Sequence, residues 1–282
     1  MRKNRSVKIS DVAYSKDKVS RKYVQTTVDN YRIETLYVNY KNKYIICFST
    51  QVGCNLGCKF CYNGIRHNFK RNLTVEEICD QIENVIREEN PNNDKPILFS
   101  AMGIGEPLLN YDNLVKAFYV LDKRYPNNKF ALATTGVNLK NILSLAKDLK
   151  NINKFKLTIS LHSANETKRH YLMPVSSKLS SLVKTVKKYK KESGREVEWN
   201  YVLFNNINDS IEDAEKLFEL LGKDEYIKIN KFNKVEISKL SESKNKEMFI
   251  SKLKSLGMPV EYYETNGVDI DGACGQMISG RM

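Results

Sequence analysis

A chain of 282 residues is long enough for one large α/β domain with a small extension and for a sizeable core. Its 46 Lys and Arg against 33 Asp and Glu give a formal charge of +13, an excess that suits a phosphate-rich partner, although a Lys- and Asn-rich genome would leave the same trace. No apolar run approaches the ~18–20 residues of a membrane span, and Met1-Arg2-Lys3-Asn4-Arg5 is not followed by an apolar signal segment. A cytoplasmic protein with no membrane contact is expected.

Residues 1–42 form a basic extension of ten basic and four acidic side chains, interleaved with Tyr14, Tyr23, Tyr31, Tyr37 and Tyr40. Within it, Lys22–Val28 and Arg32–Val38 read as a β-hairpin over Asp29-Asn30. From residue 43 onward, strand and helix patterns alternate strictly. A β-rich run over 43–50 ends at a cysteine-rich loop. Thr74-Val75-Glu76-Glu77 is a capping box opening a helix with Val75, Ile78, Ile82, Val85 and Ile86 on one stripe, beside which Cys79 reads as a small packed hydrophobe. Strands are predicted over 96–101, 129–134, 154–161, 197–204, 226–231 and 260–263, and helices over 112–124, 139–149, 179–192, 210–221 and 246–256. The lysines between 184 and 191 fall on the solvated face of a helix whose Leu182, Val183, Val186 and Tyr189 face the core. Six β/α units predict an α/β fold, a partial (β/α)6 TIM-like barrel over 43–282, open on one side, with ligands gathered at the C-terminal edge of the strands.

The loops at that edge carry the chemistry. Cys54, Cys58 and Cys61 are spaced C-x3-C-x2-C, and three thiolates can hold three irons of a cubane cluster while leaving the fourth open for chemistry. This is the spacing of the radical S-adenosylmethionine (SAM) enzymes. A structural zinc site stays open as the alternative, with His67 as the nearby fourth ligand; a disulfide framework does not suit a chain of this length without a signal peptide. The next loop, Met102-Gly103-Ile104-Gly105-Glu106-Pro107, lets backbone approach a ligand closely and offers Glu106 to an ammonium group. Ser160-Leu161-His162 closes a later strand.

Together with Glu34-Thr35-Leu36-Tyr37-Val38, Cys47 to Cys54, Arg71 to Thr74, Met102 to Asn110, Ser160 to Ser163, Arg169 to Pro174, Ile207 to Asp209 and Asp269 to Gln276, these motifs resemble the RlmN/Cfr group of radical-SAM RNA methyltransferases. The resemblance runs from about residue 34 to 276. It implies a [4Fe-4S] cluster on Cys54, Cys58 and Cys61, and SAM contacts from Gly105, Glu106, Ser160, Leu161, His162 and Asn233. It further implies two SAM per turnover, a methyl-carrying Cys274 resolved by Cys47, and Glu34 as proton acceptor. The implied substrate is an adenine ring carbon (carbon 2, or alternatively carbon 8) in rRNA or tRNA, with a flavodoxin-type electron donor and a monomeric enzyme.

Where the family pattern has a SAM-contacting serine this sequence has Ala133, and in Lys231-Phe232-Asn233-Lys234 only Asn233 matches. The family's preceding helical domain of roughly ninety residues, an ordinary small-domain size, is expected to be replaced here by the short basic segment, and its basic C-terminal tail to be missing. Two other readings remain at this level: a radical-SAM enzyme with a non-RNA substrate, and a non-catalytic RNA-binding module stabilised by its iron–sulfur site.

Overall fold

A computed structural model describes residues 5–92, 94–278 and 280–281. The chain opens with a three-stranded antiparallel meander, β1 (Val7–Tyr14), β2 (Ser20–Thr27) and β3 (Tyr31–Tyr40), and β3 pairs antiparallel with β4 (Lys43–Cys47). A small ribbon, β5 (Gln51–Val52) with β6 (Arg71–Asn72), brackets the cysteine loop and α1 (Tyr62–Arg66). Five further β/α units follow the first long helix, α2 (Val75–Glu89). They comprise β7 (Ile97–Ala101), α3 (Tyr111–Arg124), β8 (Lys129–Thr134), α4 (Leu139–Asp148), β9 (Phe155–Ser160), α5 (Glu166–Leu172), α6 (Leu179–Ser193), β10 (Val197–Val202), α7 (Ile211–Leu221), β11 (Tyr226–Asn230) and α8 (Lys246–Ser255). β12 (Val260–Tyr263) and β13 (Gly280–Arg281) end the series.

The sheet order is β1-β2-β3-β4-β7-β8-β9-β10-β11-β12, parallel from β4 onward, with β13 added to β3. The expected partial barrel is therefore present, and the expected hairpin is β2–β3. The strand β1 was not expected: its alternation is interrupted by a bulge between Ile9 and Asp11, and most of its residues are not buried. The meander is continuous with the barrel sheet through the β3–β4 ladder.

The parallel strands send most large apolar side chains outward to the helices and mainly small or polar ones into the lumen, where Ile45 and Leu98 are apolar exceptions. Phe99, Phe130, Leu157, Trp199 and Ile229 are buried on the helical side, while Cys47, Ser100, Ala133, Thr158, Asn200 and Asn230 line the interior. The helices dock on an aromatic cluster in which Phe118 of α3 lies 4.9 Å from Phe130 and Phe99 lies 5.5 Å from Phe130, ring centre to ring centre. Thr74 and Glu77 form the predicted capping box, and Ser210 and Asp213 form a second.

Buried polar contacts fix the meander against α2. Gln81 accepts from Thr35 Oγ1 at 3.1 Å and from the Ser49 amide at 3.0 Å, and donates to Ser49 O at 2.8 Å. Gln25 donates to Thr35 at 3.0 Å. The loop leaving β4 toward the cysteines is thereby set by the helix that follows it.

The open side of the barrel lies between β12 and the β3–β4 edge. Tyr40 and Tyr263 meet there hydroxyl to hydroxyl at 2.6 Å, and Tyr40 also bonds Asn266. The segment after β12 crosses the gap and returns to the meander, where Gly280 pairs with Arg32 and Arg281 with Tyr31.

Candidate active site

One cavity of about 610 Å³ occupies the lumen, and the predicted residues distribute around it unequally. Cys54, Cys58 and Cys61 open into its C-terminal end. The loop folds tightly there: a Cβ on Gly64 would stand 2.6 Å from Cys58 O and 2.7 Å from Cys58 N. The backbone of Leu56 and Asn55 donates to the Cys54 sulfur, and that of Gly64 and Asn63 to Cys61. Burial nonetheless pushes the Cys54 thiol up to about 12, and Cys58 is raised well above the usual thiol range by burial and then by Cys61 and Cys54.

The Gly103–Glu106 loop follows β7. Gly105 has φ +106°, and a Cβ there would strike the Gln51 side chain at 2.6 Å. Gln51 Oε1 in turn accepts from the Glu106 amide at 2.8 Å. The buried Glu106 carboxylate accepts from Thr134 Oγ1 at 2.6 Å, Thr135 Oγ1 at 3.0 Å, Thr135 N at 3.0 Å and Leu108 N at 3.1 Å. Burial raises its proton affinity, and these donors oppose that rise.

Ser160 and His162 line the cavity; Leu161 does not, and its fully buried side chain packs in the main core. His162 has φ +55°, and its Nδ1 accepts from Val202 N at 3.1 Å. Burial, followed by the Arg169 charge, lowers its pKa to about 3, so the ring is neutral and carries its hydrogen on Nε2. Below it, Arg169 is completely buried and donates to the carbonyls of Leu161 (3.1 Å), Ser177 (2.8 Å) and Thr135 (2.7 Å), joining three loops of the cavity end.

Cys274 enters from the side, on the strap that crosses the barrel gap. Its carbonyl accepts from Asn233 Nδ2 at 3.4 Å, Gly275 O accepts from Tyr62 N at 2.8 Å, and Met277 O accepts from Asn63 Nδ2 at 2.7 Å. Cys47, from β4, reaches the same cavity. Its thiol is raised first by burial and then by Cys274, which lines the same cavity. Cys274 is accessible from within the cavity; desolvation raises its thiol, Lys228 lowers it and Cys61 raises it.

Glu34 stands apart. It is fully buried outside the cavity wall, paired with Arg32 and with Lys22 at 3.6 Å, and its Oε2 accepts from Ile278 N at 2.9 Å. The carboxylate expected as a proton acceptor thus fastens the strap that bears Cys274.

Against known proteins, residues 48–221 match the model of the radical SAM superfamily. The probable dual-specificity RNA methyltransferase RlmN of Chlorobium phaeobacteroides is 38% identical over 264 residues, covering 88% of this chain and 70% of that protein. The dual-specificity RNA methyltransferase RlmN of Buchnera aphidicola is 36% identical, covering 89% and 72% respectively. A radical SAM methyltransferase from Sphaerobacter thermophilus superimposes with a TM-score of 0.89 at 28% identity, over 97% of this chain and 81% of that one. The chain belongs to the RlmN group of radical-SAM RNA methyltransferases.

Membership in the radical SAM superfamily implies a [4Fe-4S] cluster and SAM, and the residues present fit both. The superfamily match favours the cluster over the zinc alternative with His67. Three separate thiols on one cavity, with backbone N–H groups aimed at two of them, suit a cluster in which each thiolate takes its own iron. A metal's positive charge reverses the burial that otherwise keeps these thiols protonated. For SAM, Gly105, Glu106, Ser160, His162 and Asn233 lie around the adjoining space, with Ala133 in the wall between them.

Three features escaped the sequence reading. Thr134 and Thr135 hold Glu106, and the doubled threonine at the end of a strand was their only signal. Gln51 seats the Gly105 turn. Arg169 was visible only as part of a motif, because nothing in a linear pattern marks an arginine destined for three carbonyls.

Proposed function

We propose that this protein methylates an adenine ring carbon in rRNA or tRNA, carbon 2 or alternatively carbon 8, through a methyl group carried on Cys274 and released by Cys47. The supporting observation is that these two cysteines, remote in sequence, open into the same cavity as the three cluster cysteines.

A ring carbon flanked by nitrogens is electron-poor and does not attack the methyl group of SAM; a thiolate does. The Cys274 thiolate displaces that methyl, forming an S–CH3 bond and releasing S-adenosylhomocysteine. Lys228 favours the thiolate against the desolvation that opposes it. A cluster held by Cys54, Cys58 and Cys61 would supply the single electron for cleavage of a second SAM to methionine and a 5′-deoxyadenosyl radical, and that radical would take a hydrogen atom from the S-methyl group on Cys274. The carbon on Cys274 then bonds to the adenine, whose ring hydrogen leaves as a proton. Cys47 attacks Sγ of Cys274: the S–S bond forms, the S–CH2 bond breaks, and the released carbon takes a proton to become the methyl group.

Oxidation of the two thiols supplies the two electrons needed to reduce the second SAM to methionine and 5′-deoxyadenosine. The initiating electron is therefore returned, and cellular thiols reset the disulfide. Two SAM are consumed per turnover.

Glu106 orients SAM through its ammonium group, and neutral His162 offers Nε2–H as a donor while Val202 fixes its ring. Glu34 can serve as the proton acceptor once the Ile278 amide and its cations release it; in the closed arrangement it positions the strap. The enzyme acts as a monomer in the cytoplasm with a flavodoxin-type donor, in keeping with six unpaired cysteines. Among the described residues, no helix is long and apolar enough to cross a membrane.

The test is anaerobic reconstitution with methyl-deuterated SAM, dithionite and total RNA, followed by mass spectrometry of RNA and protein. Labelled methyladenosine together with S-methyl-Cys274 is expected. Release of 5′-deoxyadenosine with no methyl in RNA would move the chemistry to another substrate.

A further inference from the structure

The end of the lumen away from the cluster loop holds charge that the methyl-transfer scheme leaves largely unused. Lys43 begins β4, Lys129 begins β8, Lys156 is the second residue of β9 and Lys228 the third of β11, and all four line the one cavity. Strand pairing brings them round the same end: Lys129 is the partner of Leu98, Ala131 of Lys156, Thr158 of Glu198, and Asn200 of Lys228.

The carboxylate at this end is Glu198, and it is already engaged. Lys156 bonds its Oε2, Thr158 Oγ1 donates to its Oε1 at 3.3 Å, and Lys228 Nζ stands 4.0 Å away. Among the described residues, Lys43 and Lys129 have no carboxylate in ion-pair range. Burial, followed by Lys228, Lys129 and Lys156, depresses the proton affinity of Lys43, with Glu198 opposing. Beside this ring, Oδ1 of Asn200 and Oδ1 of Asn230 are buried without a hydrogen-bond partner. Turned about its terminal bond, either amide presents an NH2 donor instead.

We infer that this lysine-lined floor of the barrel is a binding site for a multiply charged oxyanion of the phosphate class. Four lysines from four strands line this end against one cavity-lining carboxylate, Lys43 and Lys228 half-buried and Lys129 and Lys156 exposed at its mouth, and like charges gathered there gain from an anion that bridges them. Free pyrophosphate and a phosphate carried on RNA share this chemistry.

The experiment titrates inorganic pyrophosphate into the full, cluster-loaded chain by calorimetry at constant ionic strength, comparing wild type with Lys43→Met/Lys129→Met. Saturable binding is expected, weakened at least tenfold in the double variant. Equal affinity in the two proteins, or no heat beyond that of sodium chloride, overturns the inference. Melting temperatures give an independent readout: without pyrophosphate the double variant melts above wild type, because repulsion is relieved, and with saturating pyrophosphate the order reverses. A variant that melts below wild type in both conditions also overturns it. Repeating the titration with excess tRNA separates the sources: competitive displacement assigns the site to an RNA phosphate, and unchanged affinity assigns it to the free anion.

Discussion

His162 makes the stability of this protein depend on pH in a calculable way. Its pKa is about 3 in the folded chain against 6.5 for an ordinary imidazole, chiefly because burial penalises the charged ring. A folded pKa below the unfolded one means that the unfolded state binds the proton more tightly. The stabilisation is therefore fully present above about pH 6.5 and is lost as pH falls toward 3. Each tenfold difference in proton affinity is worth about 1.4 kcal/mol, so the loss is about 2 kcal/mol at pH 5 and approaches about 5 kcal/mol below pH 3. A clean comparison is His162→Asn, since asparagine accepts the left-handed backbone at φ +55° and its Oδ1 can replace Nδ1 as acceptor for the Val202 amide. Urea unfolding at pH 7.5 and pH 5.0, on protein of equal iron content, should show wild type losing about 2 kcal/mol more than the variant. Carboxylates titrate alike in both proteins and cancel. Equal losses would refute the assignment of a buried neutral imidazole.

Cys47→Ala removes the thiolate that frees the product, so RNA is expected to stay covalently bound to Cys274, seen as an RNase-sensitive shift of the protein band, with multiple turnover abolished. Gly64→Ala forces a methyl group within 2.7 Å of the Cys58 backbone and should cut iron bound after reconstitution by more than half while leaving the circular dichroism spectrum unchanged. Glu34→Gln leaves Arg32 and Lys22 without their buried anion and should lower unfolding free energy by about 3 kcal/mol. Limited proteolysis of that variant should cut first between 264 and 278, and cleavage elsewhere would separate Glu34 from strap anchoring.

The barrel was legible because its outward faces are strongly apolar at strand spacing and its helices carry amphipathic stripes with proper caps; β8 and β12 fall where the pattern places them. The helices α1 and α5 are too short to announce a period, and the bulge hides β1. The cysteine spacing and the Gly105-Glu106 turn were readable as chemistry. What no linear reading supplies is direction: Leu161 sits between two cavity residues yet points into the core, and Glu34 belongs to the motif yet faces the strap. The lumen lysines were hidden for a related reason. Lys43, Lys129 and Lys156 stand at or near strand starts and Lys228 in mid-strand, and only closure of the sheet brings them to one end.

The pairing of β13 with β3 joins strands from opposite ends of the described chain, and it imposes a sequence of events on synthesis. The cysteine loop and the meander leave the ribosome early, whereas Cys274 and its anchor residues emerge only after every barrel strand. The strap can therefore dock only after the barrel strands have been made, so the open side of the barrel is fastened last.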